Sequence, residues 1–101
     1  MNEHAILSLL GLAQKAGKIS SGELSVEKSV KSGKAKLMII ASDSSDATKK
    51  KYRDMSQYYQ VPLYEVFTKQ QLGSCIGKEY RAALTIVEQG FSNAIIKALL
   101  Q

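Results

Sequence analysis

The sequence predicts an α/β fold, a three-layer α-β-α sandwich whose mixed sheet has about four strands. Two apolar runs carry that expectation. Ala35–Ala41 (AKLMIIA) and Arg81–Val87 (RAALTIV) are too uniformly apolar for strands with one wet face, so both sides need cover. Segments with helical spacing recur before, between and after these runs, and one sheet covered by helices on both faces buries everything most simply. At 101 residues the chain forms one domain, residues 1–101.

The first helix is expected over Glu3–Ala16, where Ile6, Leu9, Leu10, Ala13 and Ala16 share a face and Gly17 offers a stop. Gly11 costs about 1 kcal/mol relative to alanine if exposed, a loss that close approach to another element can offset. Lys18–Ser21 is too short to identify as a strand by itself and ends at Gly22. A second helix follows over Glu23–Ser32, with Gly33 as its stop. At about 100° per residue, Val26, Ser29 and Val30 share one side, while Lys28, Lys31 and Leu24 share another.

Ala35–Ala41 is expected at the centre of the sheet. Over Asp46–Gln60, Thr48, Tyr52, Met55 and Tyr59 recur at helical spacing and are expected to cover the sheet, leaving Lys49, Lys50, Lys51 and Arg53 on polar sides. Asp43 or Asp46 is the expected cap of that helix. Val61–Val66 supplies a third strand, which tolerates Pro62 near its start. Thr68 and Gln71 have the spacing of a capping box for a short helix through Cys75. Arg81–Val87 is the last strand, and a final helix over Ser92–Leu100 follows a flexible Gly90.

Composition narrows the function. Fourteen Lys+Arg against nine Asp+Glu give a net charge of +5, so polyanions are attracted, although charge alone does not separate RNA, DNA and anionic lipid. A single cysteine, Cys75, excludes an internal disulfide and a cysteine-rich metal knuckle, and suits a reducing, cytoplasmic setting. Asn2, Glu3 and His4 lack the basic start of a secretory leader, so the mature protein is expected to begin at Met1, and no apolar run approaches the roughly 20 residues of a membrane span. Ser42–Asp46 carries two carboxylates in a short loop, which suits helix capping better than metal. His4 is the only histidine and no serine sits in a nucleophile elbow, so a histidine-based triad has no support. Gly73 and Gly77 form neither GxGxxG nor a Walker loop. No catalytic residue, metal or cofactor is expected.

Position says more than charge. Gly22 opens the second helix and offers close backbone access beside unpaired amides, and Lys28 and Lys31 add a basic face. Gly22 with the helix containing Lys28, followed by GKAKLMIIASD over Gly33–Asp43, resembles the kink-turn-binding ribosomal-protein family, in its small bacterial branch. Leu72-Gly73 and Gly77 add a second matching region, and the resemblance covers Ile6–Leu99.

That resemblance implies binding of structured RNA, ribosomal RNA among the candidates, without catalysis; a site complete in one chain favours a monomer, and the lack of a long apolar run sets it away from membranes. It assigns the RNA to Gly22, Glu23, Leu24, Ser25 and Lys28 at the helix start, with Lys31 on the same basic face, and to a loop of Gly77, Lys78, Tyr80 and Arg81 that closes over the kink. The family's Asn-Glu pair falls at Leu24 and Ser25, which reproduce neither an amide's donor and acceptor nor a carboxylate's acceptors. Leu24 either packs on a sugar or base, or makes a local contact within the chain. Tyr80 either stacks on an extruded nucleotide or packs into the core, and Glu79 balances charge or caps. Two other classes stand beside this one: a ribosome-assembly module that binds protein, and a small enzyme using a carboxylate or lysine.

Overall fold

The computed structural model describes residues 1–101, and helices and strands alternate through it. In chain order they are α1 (Glu3–Lys15), β1 (Ile19–Ser21), α2 (Glu23–Lys31), β2 (Leu37–Ile40), α3 (Asp46–Tyr59), β3 (Leu63–Glu65), α4 (Lys69–Cys75), β4 (Ala83–Ile86) and α5 (Gln89–Leu99). The strands form one mixed sheet in the order β1-β4-β2-β3. β4 runs antiparallel to both β1 and β2, while β2 and β3 are parallel. The two apolar runs therefore hold the centre, as their composition requires.

Alternation along β2 divides the core. Leu37 and Ile39 face one side, where Ile6 and Leu10 of α1, Leu72 of α4 and Ile95 of α5 close over them. Met38 and Ile40 face the other, against Val26 and Val30 of α2 and Tyr52 of α3. Each such side chain contributes about 1.5–3 kcal/mol by leaving water, so the central strands bind the layers together. On the α2 face one polar pair is buried. The Ser29 hydroxyl donates to the Val26 carbonyl at 2.8 Å, so the Thr85 hydroxyl, 2.7 Å away, donates to Ser29.

Three helices end alike. Gly17, Gly33 and Gly77 have positive φ, and the N–H of the lysine that follows each one donates five residues back, from Lys18 to Ala13 (2.9 Å), Lys34 to Ser29 (3.0 Å) and Lys78 to Gly73 (2.8 Å). Each repeated Gly-Lys pair thus stops a helix and sets a cation near its carbonyl end.

Several expected details are corrected. Ser45, not Asp43 or Asp46, caps α3: its hydroxyl accepts from the Thr48 N–H at 3.2 Å. Asp46 sits in the first turn instead, and Asp43 accepts from the Lys69 N–H at 2.9 Å, tying the start of α4 to the β2–α3 loop. α5 begins at Gln89 rather than Ser92, because the Glu88 carboxylate accepts from Gly90 (2.8 Å) and Phe91 (2.6 Å) and draws Gly90 into the first turn. Those two amides hold the Glu88 carboxyl below its ordinary range. Ala16 is an exposed C-cap rather than a core residue. Tyr59 does not cover the sheet: the left-handed Gln60 ends α3, and Val61 takes the core position. The Thr68–Gln71 capping box forms as expected, at 3.1 and 2.9 Å. Gly11 makes the close approach its position suggested, since a Cβ there would stand 3.3 Å from the Cys75 carbonyl of α4.

Candidate nucleic-acid interface

The register brings the ends of β1 and β2 to the start of β4, with Ser21 opposite Leu84 and Ile40 opposite Ala83. α2 leaves this end of the sheet at Gly22, and Arg81 and Ala82 enter it. Between them lies a cleft of about 280 Å³ lined by Gly22, Glu23, Lys51, Tyr52, Tyr80 and Arg81, among others. Two segments distant in sequence thus share one concave surface.

Gly22 has φ 86° and ψ 148°, close to a region that side-chain-bearing residues essentially never occupy. Nothing lies within 4 Å of where its Cβ would stand, so the sharp turn requires glycine while internal crowding does not. No side chain caps α2, and the amides of its first turn stay free for an outside acceptor.

Across the cleft, Lys51 of α3 is held by two carboxylates of α2, Glu23 at 2.6 Å and Glu27 at 2.5 Å. These bonds raise the Lys51 pKa above its ordinary value, and the bond to Lys51 lowers that of Glu27. Lys51 also lies 5.5 Å from the centre of the Tyr52 ring, whose pKa burial raises. Glu23 is therefore a clamp between helices as much as a lining residue. Thr48, Lys51 and Tyr52 are cleft residues that the sequence reading missed. The signal was present in the four-residue spacing of Thr48 and Tyr52, but their neighbours on α2 were not readable from it.

Tyr80 and Arg81 form the other wall, at the end of a loop from Gly77 that is seated on α4, while Gly77, Lys78 and Glu79 lie outside the cleft lining. A Cβ at Gly73 would meet the Glu79 carbonyl and come within 2.7 Å of the Tyr80 nitrogen, so this helix position has to lack a side chain for the loop to lie there. Lys78 N–H to Gly73 O (2.8 Å) and Arg81 N–H to Lys69 O (3.0 Å) fasten both ends of the loop. Gly77 acts as the stop of α4. Tyr80 is 61% exposed, which removes the core-packing alternative. The Arg81 guanidinium donates to Ser21 Oγ (3.3 Å) and to the Tyr80 carbonyl (2.7 Å), leaving three of its five N–H groups for a ligand. Lys78 and Glu79 are exposed.

Other expected site residues lie apart from the cleft. Leu24 is 82% exposed, so it has no packed local contact. Ser25 and Lys28 line a shallow groove on the β1 side of α2, together with Lys34. Lys31 belongs to a separate groove at the far end of the helix, so the structure does not bring it to Gly22. Nowhere do three or more His, Cys, Asp or Glu converge as metal ligands, and no helix is long and apolar enough to cross a membrane. Cys75 is half-buried; its thiol donates to the Leu72 carbonyl at 3.1 Å, and burial pushes its pKa up to about 11.

The family model described as "Ribosomal protein L7Ae/L30e/S12e/Gadd45 family" matches residues 4–96. The RNA-binding protein YlxQ of Bacillus subtilis (strain 168) is 43% identical over 91 residues, covering 90% of this chain and 91% of that protein. Large ribosomal subunit protein eL30 of Candida albicans is 34% identical over 96 residues, covering 93% and 91%. Among solved structures, a protein with unknown function from Bacillus halodurans C superposes with a TM-score of 0.91 at 38% identity, covering 95% of this chain and 97% of that one. The Giardia lamblia 15.5kD RNA binding protein superposes at 0.79 with 23% identity, covering 96% and 86%, a likeness of fold alone.

Proposed function

The chain belongs to the ribosomal protein L7Ae/L30e/S12e/Gadd45 family, and on that premise we propose that it binds structured RNA of the kink-turn kind, in a ribosome-related setting. One observation carries the reading: Gly22 and Glu23 at the start of α2 and the Tyr80–Arg81 end of the Gly77–Arg81 loop line one cleft. The RNA-binding proteins YlxQ, at 43% and 40% identity, and the ribosomal relatives support its coarse form.

In this reading a sharply bent backbone approaches Gly22, where no side chain intervenes, and a phosphate or base edge meets the free amides of Glu23, Leu24 and Ser25. Arg81 offers its remaining N–H groups to phosphate, and Tyr80 stacks on a nucleotide turned out of the helix. Leu24 packs on a sugar or base. Lys28 and Lys78 add phosphate contacts from outside the cleft, and Glu23 holds Lys51 in the wall. One chain carries the whole cleft, so it acts as a monomer, and binding is its function.

Ultraviolet crosslinking in the native cell, with sequencing of both the RNA and the joined peptide, tests this. Peptides containing Gly22–Lys28 or Gly77–Arg81 should be joined to RNAs that share a bent element. Crosslinks confined to other surfaces, or to RNAs without such an element, would contradict it.

A further inference from the structure

The end of the sheet opposite the cleft carries a second surface. A groove of about 400 Å³ lies where Lys36 enters β2, Val61 and Pro62 lead into β3 and Gln89 follows β4. Lys31, Lys36, Tyr59, Gln60 and Gln89 line it, and no carboxylate does. The chain's ion pairs are Lys50–Asp54, Lys51–Glu23, Lys51–Glu27 and Arg53–Glu65, so neither groove lysine is tied up in one. The carboxylates adjacent in sequence are engaged elsewhere: Glu27, one turn before Lys31, holds Lys51, and Glu88 caps α5.

Tyr59 lines the groove with these cations, and Tyr58, outside the lining, touches its ring; the core uses neither ring. Tyr58 is 79% exposed and Tyr59 37%, and their rings meet edge to face at 4.8 Å. An aromatic pair with this exposure can take a flat partner. Gln60 and Gln89 add amides that can donate to and accept from base edges. Between the two ends of the sheet, Ser25, Lys28 and Lys34 line the groove along α2, whose nine residues span about 14 Å. Lysines outside any ion pair therefore continue from the flank of the cleft to the far groove.

We propose that this far groove is a second RNA site for unpaired nucleotides, whose bases stack on Tyr59 and Tyr58 while Lys31 and Lys36 meet their phosphates. Its natural occupant is the single strand flanking the element held in the cleft. The pairing of two elements on one RNA rests on the function proposed above; the chemistry of the groove does not. An acidic protein segment would use the lysines but not the exposed tyrosine pair, which is why single-stranded RNA is the better fit.

Equilibrium titrations of the full chain with three RNAs separate these ideas: a kink-turn element with an unpaired tail, the same element blunt, and the tail alone. A tail of about six nucleotides is within the ~4–16 that a stacking groove spans, and should tighten binding about fivefold or more. Replacing both rings, Tyr58→Ala with Tyr59→Ala, should abolish that gain and leave the blunt element's affinity unchanged, whereas Tyr59→Phe should keep it. Lys31→Ala with Lys36→Ala should reduce the salt slope for the tailed RNA by about 1.4, at ~0.7 for each phosphate released on a single strand. A tail that adds nothing, or a gain that survives loss of both rings, would overturn the proposal. So would displacement of the tail by a poly-glutamate peptide that binds equally well without the rings, which would assign the surface to an acidic protein partner. If only the cleft reading were wrong, the blunt element would bind no better than a straight duplex while the tail alone still depended on the tyrosines.

Discussion

The two sides of α2 handle charge in opposite ways. In the cleft the cations are occupied: Lys51 is held between Glu23 and Glu27, and Arg81 spends two donors on Ser21 and the Tyr80 carbonyl. Along the flank and the far end, Lys28, Lys31, Lys34 and Lys36 form no ion pair. The cleft is a shaped surface with fixed donors, and the flank is a positive field outside any ion pair. Discrimination between RNA shapes should therefore reside in the cleft, and salt dependence along the flank.

The strongest way to break that division is Gly73→Ala. An alanine in a helix normally gains about 1 kcal/mol over glycine, but here its Cβ meets the backbone of Glu79 and Tyr80, and overpacking of this kind costs about 1–3 kcal/mol. Thermal melts should show lower stability. In the folded fraction the displaced loop should lose selectivity for bent RNA while attraction to any RNA persists. An unchanged melt and unchanged selectivity would show that the loop's seat on α4 is unimportant.

Leu24→Asn sharpens the cleft side. It replaces an 82% exposed leucine with an amide able to address a base edge, so stability should not fall, and preference for a kink-turn over a straight duplex should rise by a few-fold in paired titrations. On the flank, Lys28→Ala should weaken bent and straight RNAs alike and reduce the salt slope by about one. A change in preference without a change in slope would reverse the roles of the two sides.

The smallest effect is the pH response of the clamp. Lys51 holds the Glu27 carboxyl below its ordinary 4.5, so the stabilisation is complete above that value and is lost as pH falls through the depressed one. The raised pKa of Lys51 adds the complementary limit, its share being complete below 10.5 and lost at still higher pH. Wild type should therefore melt slightly above Glu27→Gln near neutrality, and the gap should close in strong acid. Because both groups remain partly exposed, the gap should be small and should shrink with salt.

What could be read from the sequence follows from the range of the interaction involved. Ala35–Ala41 and Arg81–Val87 announce central strands because burial on both faces leaves a local composition, and Thr68 with Gln71 announces a helix start because its partners are three residues apart. Glu88 was missed as a cap because glutamate is outside the usual capping set. Periodicity sets Tyr59 over the sheet because it cannot see that Gln60 turns left-handed and hands the position to Val61. In the candidate site, Gly22 and the Gly77–Arg81 loop were legible as separate motifs. The clamp on Lys51 was not, since its partners belong to another helix. Lys31 was grouped with Gly22 on the strength of charge, although nine residues of helix carry it about 14 Å away, a distance that the 1.5 Å rise per residue already implied.

The central claim is that the cleft reads the bend of an RNA rather than its charge. Side-by-side titration of the purified chain against a kink-turn RNA and a straight duplex of equal length and charge, at fixed salt and magnesium, tests it most directly. The bent RNA should bind at least about tenfold more tightly, roughly 1.4 kcal/mol. A folded Gly22→Asp variant, with a side chain and a negative charge at the turn, should lose most of that preference. Equal affinity for the two RNAs, with no effect of Gly22→Asp, would contradict the account even if both bound strongly.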